Sequence, residues 1–248
     1  PIRLRFYRHK QPQDTPGFCC FLHGGGWVLG DLDTHQGICN DLAVHTGMTV
    51  VAIQYRLSPE HVFPAALHDT IDVLKAVSSN PSRYAIDGSQ MCLRADSAGA
   101  SLALSACLEL RGTSALPAKL SLVYPAVGAD IERPSFKENQ DLPGISRESM
   151  RFFFTSYVGG EELPDPLAAP LTVDDLSGLP PTFISGAQFD PLRDDATDLA
   201  ARLNAAEVPV QLRIEAGLGH GYLWVRRASV AAAAAFSEVV AFLSPGKH

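Results

Sequence analysis

No apolar run in the sequence is long enough to cross a membrane. The longest, Val230–Phe236, falls far short of the ~20 residues that a span requires. Cations are in the minority, with 20 Lys and Arg against 27 Asp and Glu for a net charge of −7. The densest basic pair is Arg226-Arg227, which argues against a nucleic-acid partner, because neutralising phosphates needs grouped Lys and Arg. Cysteine is scarce and scattered: Cys19, Cys20, Cys39, Cys92 and Cys107, an odd number without a CxxC pair. Such a set is a poor disulfide framework and a poor zinc site. The expectation is five reduced thiols in a cytoplasmic protein with no metal and no cofactor. The first residues, Pro1–Phe6, alternate apolar and basic side chains and lack the apolar stretch of a secretory signal. They also lack a Met, so further residues are expected ahead of Pro1.

What is present is a globular composition, 46% apolar and 19% charged over 248 residues, which is enough chain for one large α/β domain with a sizeable core. Strands are expected at Ile2–Tyr7, Phe18–Leu22, Thr49–Gln54, Gln90–Arg94, Leu120–Tyr124, Thr182–Ser185 and Val210–Ile214. Helices are expected near Thr34–Thr46, Pro64–Ser78, Ala98–Arg111, Glu148–Tyr157, Leu192–Ala206 and Ser229–Phe242. In the second helix Leu67, Ile71, Leu74 and Val77 fall on one face. The sixth ends in Ser-Pro-Gly, a stop signal. Alternation of strand and helix implies a mostly parallel sheet with helices on both faces. The stretch 125–181 breaks the rhythm with Pro134, Pro143, Pro164, Pro166, Pro170 and Pro180, and reads as a cap-like excursion over the sheet's carboxyl end within a single domain spanning 1–248.

Four segments carry chemistry. Ala95-Asp96-Ser97-Ala98-Gly99 follows a strand and opens a helix. Small residues around the serine allow a sharp turn that lifts its hydroxyl above the sheet, and the helix N-terminus favours developing negative charge. The same serine reads alternatively as an ordinary N-cap. His23-Gly24-Gly25-Gly26-Trp27 follows an apolar strand. Its glycines let successive N–H groups converge on an oxyanion beside the Ala98 amide; a plain flexible turn is the alternative, and no GxxxxGK[ST] pattern supports a phosphate loop. His23 reads as an anchor of that loop rather than a base. Asp190, in Phe189-Asp190-Pro191-Leu192-Arg193-Asp194, sits past the carboxyl end of a strand, where α/β sheets place functional groups. Asp190 or Asp194 serves as helix cap and the other as orienter, with Asp190 preferred as orienter. His220 lies between Gly219 and Gly221, which suggests a mobile, exposed imidazole. The chain order Ser97, Asp190, His220 is that of the α/β-hydrolase triad. In that reading Gly24, Gly25 and Ala98 hold the oxyanion.

With these residues in hand, the sequence resembles the bacterial hormone-sensitive-lipase-type family of α/β-hydrolases, and within it the acetyl esterases. His23-Gly24-Gly25-Gly26, Asp96-Ser97-Ala98-Gly99, Tyr55-Arg56-Leu57-Ser58-Pro59-Glu60 with Phe63-Pro64-Ala65-Ala66, Phe189-Asp190-Pro191-Leu192-Arg193-Asp194 and His220-Gly221 match its motifs along nearly the whole chain. The resemblance implies a serine carboxylesterase acting on short acyl esters, acetyl through roughly hexanoyl. Two departures stand out. Ala95 replaces the family's glycine, an expected source of strain in the turn. The helical cap that family members carry ahead of the first strand is not in the sequence before Ile2–Tyr7, whether by truncation, by cleavage or because it is naturally short; without it an open site with an apolar rim is expected. Trp27, Phe152, Tyr157 and Trp224 are the candidate substrate-binding aromatics, beside Phe153 and Phe154, although such clusters are more often core. The edge strand Val210–Ile214 permits a homodimer. A non-catalytic ligand-binding or protein-binding regulatory member of the same fold is the alternative from another class.

Overall fold

Apolar segments pair side by side, and those in the middle of the sheet are buried on both faces. The computed structural model describes residues 1–9, 17–84, 86, 90–142 and 144–244; Pro143, Pro245 and Gly246 lie outside them. Strands β1 (Arg3–Tyr7), β2 (Phe18–Leu22), β3 (Thr49–Gln54), β4 (Met91–Asp96), β5 (Lys119–Val123), β6 (Thr182–Phe189) and β7 (Val210–Gly219) form one sheet in the order β1-β3-β2-β4-β5-β6-β7. β1 runs antiparallel to β3, and the other neighbouring pairs are parallel. β4 lies at the centre with every residue buried. β7 forms one edge of the sheet.

Helices α1 (Gln36–Thr46) and α7 (Val230–Leu243) cover one face. Helices α2 (Ala65–Ser79), α3 (Ala98–Glu109) and α6 (Arg193–Ala205) cover the other. Leu67, Ile71, Leu74 and Val77 all point from α2 into the core. Cys19 and Cys20 fall in the two opposite cores, as alternation along a strand requires, and all five cysteines are free and buried. The excursion 125–181 holds α5 (Arg147–Val158), started by a reciprocal Ser146/Ser149 capping box. It also holds α4 (Pro134–Glu138), which is too short to leave a periodic signal in the sequence.

Strand ends are where structure and expectation differ, and the differences matter. β4 continues past Arg94 to Asp96, β6 past Ser185 to Phe189, and β7 past Ile214 to Gly219. Gly186 and Ala187 interrupt the apolar pattern, yet they stay in the ladder opposite Ile214 and Glu215. Each extended strand therefore stops on the residue before a candidate functional group: Ser97, Asp190 or His220.

Helix α3 is buried all round from Ala98 to Leu108, which its Ala, Gly and Ser residues allow by keeping the helix thin. The tightest point is Gly99, where an added Cβ would stand 2.5 Å from the carbonyl oxygens of both Leu22 and His23. Both are backbone atoms of the β2 end and cannot swing away. Gly99→Ala should therefore cost about 3 kcal/mol, the upper range for overpacking a core, read as a lowered urea midpoint. An unchanged midpoint would show that the helix can shift off the strand freely.

Candidate active site

Ser97 occupies the turn between β4 and α3 with φ 51° and ψ −123°. A non-glycine residue at such angles costs about 1–3 kcal/mol unless its surroundings hold it there. Here its N–H donates to the Val123 carbonyl (3.0 Å), and its own carbonyl accepts from Ala100 (2.9 Å) and Ala126 (3.2 Å). Ser97 makes no side-chain capping bond; its Oγ lies 3.0 Å from His220 Nε2. His220 Nδ1 lies 2.8 Å from Asp190 Oδ2. A carboxylate only accepts, so Nδ1 carries the proton and Nε2 is free to accept from the serine hydroxyl.

Asp190 has no exposed surface. Its second oxygen, Oδ1, accepts from the Leu192 amide at 2.9 Å, and its carbonyl accepts from Asn139 Nδ2 at 3.3 Å. Local turn contact and orienter thus fall on one residue through different oxygens. Asp194 is engaged elsewhere, accepting from the Ser135 amide at 2.8 Å. His220 differs from the expectation of an exposed, mobile ring: its side chain is only 12% exposed, and it packs against Tyr124 with ring centroids 4.8 Å apart. The flanking glycines serve backbone geometry. Gly221 adopts φ 76°, and Gly219 lies close enough to β6 that a Cβ there would meet the Phe189 carbonyl at 3.3 Å.

The glycine loop curls beside this relay. Gly25 and Gly26 take positive φ, and the Gly25 carbonyl accepts from Val28 and Leu29 at 3.2 and 2.8 Å. Among the described residues, the amides of Gly24, Gly25 and Ala98 have no hydrogen-bond acceptor, which leaves three donors at the cleft. His23 points away from Ser97. Its Nδ1 donates to the Gly24 carbonyl at 2.8 Å, its ring stacks on Tyr55 at 4.3 Å, and the Tyr55 hydroxyl donates to the His23 carbonyl at 2.7 Å. The Ser58 amide holds the Trp27 carbonyl at 2.9 Å. Ala95, expected to strain the turn, does not: the positive φ falls on Ser97, and the Ala95 methyl is buried in the core on the α3 side.

A cleft of about 330 Å³ opens over Ser97, lined by Gly24, Gly25, Gly26, Trp27, Ala98, His220, Trp224 and others. Of the four candidate aromatics, Trp27 and Trp224 line it. Phe152 and Tyr157 are not among its lining residues. Phe152 is 57% exposed, and Tyr157 is buried behind Trp27, stacked on it at 4.6 Å. Because a helix turns 100° per residue, it is Phe153 that faces the cleft, close enough that a Cβ on Gly26 would meet its ring at 2.4 Å. Sequence reasoning missed Tyr124, Thr34, His35, Ile145 and Met150, which also line the cleft. Thr34 and His35 lie just before α1, Tyr124 just past β5, Ile145 just before α5 and Met150 on α5, and no local pattern marks them.

Comparison with known proteins agrees with this architecture. Residues 19–224 match a family model described as the alpha/beta hydrolase fold. The chain is 37% identical over 252 residues to carboxylesterase NlhH of Mycobacterium tuberculosis, covering 100% of this chain and 79% of that protein. It is 34% identical over 213 residues to the acetyl esterase of Salmonella choleraesuis, covering 84% and 65%. The crystal structure of esterase LipW from Mycobacterium marinum superposes with a TM-score of 0.90 at 32% identity, covering 97% of this chain and 76% of that one. The chain therefore belongs to the α/β-hydrolase family, in the hormone-sensitive-lipase-type branch that its motifs resemble. No helix among the described residues is long and apolar enough to cross a membrane.

Burial pushes His23 down to about 4, against the raising effect of the Gly24 carbonyl. His23 is thus neutral in the fold at pH values where the unfolded chain, near 6.5, takes up a proton. Its contribution to stability is present above pH 6.5 and is lost as pH falls toward 4. Asp195, pushed up to about 6 by burial, has the opposite slope, its contribution being lost as pH rises through 6. It is common to wild type and His23→Asn and cancels between them. The stability advantage of wild type over His23→Asn should therefore shrink by up to about 3 kcal/mol between pH 6.5 and 4. Denaturant titrations of both proteins across that range check it; a constant gap would contradict a neutral, buried His23.

Proposed function

We propose that the chain is a serine carboxylesterase working through Ser97, His220 and Asp190. The observation that carries this reading is the continuous contact from Ser97 Oγ to His220 (3.0 Å) to a fully buried Asp190 (2.8 Å). His220 Nε2 takes the hydroxyl proton as Ser97 Oγ attacks the ester carbonyl. Asp190 fixes the tautomer and stabilises the imidazolium. The unengaged Gly24, Gly25 and Ala98 amides receive the oxyanion. As the tetrahedral intermediate collapses, the C–O bond to the alcohol breaks and His220 returns the proton to the leaving oxygen. Water, deprotonated by the same imidazole, then attacks the acyl-enzyme and restores Ser97. No cofactor enters these steps.

The substrate is a small ester with a short acyl group. Two observations support this. The cleft, about 330 Å³, is at the small end of the roughly 300–1,000 Å³ typical of ligand sites. Relatives carry the names carboxylesterase and acetyl esterase. Trp27 and Phe153 bound the space, and Trp224, half-exposed, stands at its mouth, edge-on to His35 at 4.7 Å.

Hydrolysis of p-nitrophenyl acetate, butyrate and octanoate tests both levels. Turnover should fall from butyrate to octanoate. Ser97→Ala should lower kcat by about four orders of magnitude or more, because serine and base act as a unit. Octanoate cleaved as fast as acetate would sink the short-chain reading, and serine-independent turnover would sink the mechanism.

A further inference from the structure

The residue before the proposed nucleophile carries a buried charge in an awkward place. Asp96 is 2% exposed, and a Cβ on Gly24 would stand 2.8 Å from its Oδ2. The carboxylate therefore lies directly against the glycine loop that receives negative charge in the proposed reaction. An uncompensated anion there would oppose the oxyanion, and in a site of low dielectric that opposition is strong.

Two groups face the carboxylate. His35 Nε2 lies 3.4 Å from Oδ2, with its ring lining the cleft. Arg94, on the same side of β4, donates from Nη1 to Oδ1 at 2.8 Å. Arg94 is fully buried, and its guanidinium carbon sits 4.7 Å over the Phe21 ring. Its Nε and Nη2 have no hydrogen-bond partner among the described residues. A cation placed at the centre of the sheet with donors unspent is costly. The guanidinium hydrogen-bonds one side chain, the carboxylate next to the nucleophile. Between them, His35 and Arg94 hold Asp96 well below the usual carboxylate range, although burial alone would raise it. The anion therefore persists through the working pH range, and its compensation has to be permanent. Arg94, unlike a histidine, is charged at every such pH.

We propose that Arg94 is a positioning residue whose buried guanidinium cancels the Asp96 carboxylate, so that the carboxylate beside Ser97 does not oppose the oxyanion at Gly24 and Gly25. This rests on the esterase reading above. Because the oxyanion exists only in the transition state, losing Arg94 acts on kcat and leaves KM in place.

Arg94→Met keeps the length of the side chain and removes the charge, while Arg94→Lys keeps the charge. With p-nitrophenyl butyrate, Arg94→Met should lose about 100-fold in kcat with KM within twofold, and Arg94→Lys should stay within about fivefold of wild type. Adding Asp96→Asn to Arg94→Met restores neutrality and should recover at least tenfold of the loss. If Arg94→Met does not fold, the neutral double variant decides: folded with kcat within tenfold of wild type supports the proposal, and folded but as slow as the 100-fold loss overturns it. Equal losses for Met and Lys, or a loss confined to KM, would mean that Arg94 acts through packing alone and would also overturn it. A wild type that hydrolyses no ester removes the esterase reading and this proposal together. A wild type that turns over beside an Arg94→Met variant within threefold of it removes this proposal only.

Discussion

Everything at the cleft depends on how closely helix α3 approaches the end of strand β2. Gly99 has no side chain, so the first turn of α3 presses against the carbonyls of Leu22 and His23. That contact sets the Ser97 turn beside the Gly24–Gly26 loop and fixes the gap between the serine hydroxyl and the loop amides. The positive φ at Ser97 is the cost of this arrangement. Three backbone hydrogen bonds, to Val123, from Ala100 and from Ala126, hold it in place. Functional geometry here is sheet geometry: β4, β6 and β7 each end one residue short of Ser97, Asp190 and His220, so parallel strands deliver the three groups to the carboxyl end of the sheet.

The second constraint is electrostatic. Beneath the cleft, on the α1 and α7 side of the sheet, polar side chains run through an otherwise apolar layer. Ser185 links Tyr222 and Glu215 at 2.6 and 3.1 Å, and Arg94, Asp96 and His35 continue the layer toward the glycine loop. On the opposite side of the carboxylate loop, Asp195 accepts from the Val127 and Gly128 amides at 2.9 and 2.7 Å and pairs with Arg133 at 3.0 Å. Ser135 Oγ donates to the Pro191 carbonyl. These contacts tie the loop carrying Asp190 to the segment that carries Ala126 over Ser97. Half-satisfied buried polar groups are expensive, and they concentrate around the residues that would do chemistry.

Much of this was legible in the sequence, for physical reasons that differ by element. The inner strands stood out because each is a short apolar run that a two-faced sheet must bury, whereas the edge strands β1 and β7 mix apolar with polar residues and stay partly exposed. Ser97, Asp190 and His220 stood out because each sits at a strand end flanked by small or turn-forming residues, in a telling chain order. The extensions of β6 and β7 were hidden, since Gly186 and Ala187 carry little apolar signature yet stay paired opposite Ile214 and Glu215, while Ala216 and Gly217 fall in the irregular stretch before Phe189 pairs with Gly219. Ala95 looked suspect because the tight backbone angle could not be assigned to one residue from the sequence; it falls on Ser97. The cleft walls were the least legible. Phe152, Phe153 and Phe154 are adjacent, and only the orientation of α5 decides that Phe153 faces the cleft while Phe152 faces solvent. His35 had no local mark at all, since its neighbour Asp96 is distant in sequence and is brought close only by the pairing of β4 with β2.

The most direct measurement of the central claim, that Ser97 is a hydroxyl activated by His220, is covalent labelling with a fluorophosphonate followed by intact-mass and peptide mapping. The expected result is one adduct per chain, located on Ser97, with labelling slowed at least about 100-fold in His220→Ala, as loss of a general base requires. An adduct on another residue, no adduct, or labelling that proceeds at the same rate without His220 would contradict it.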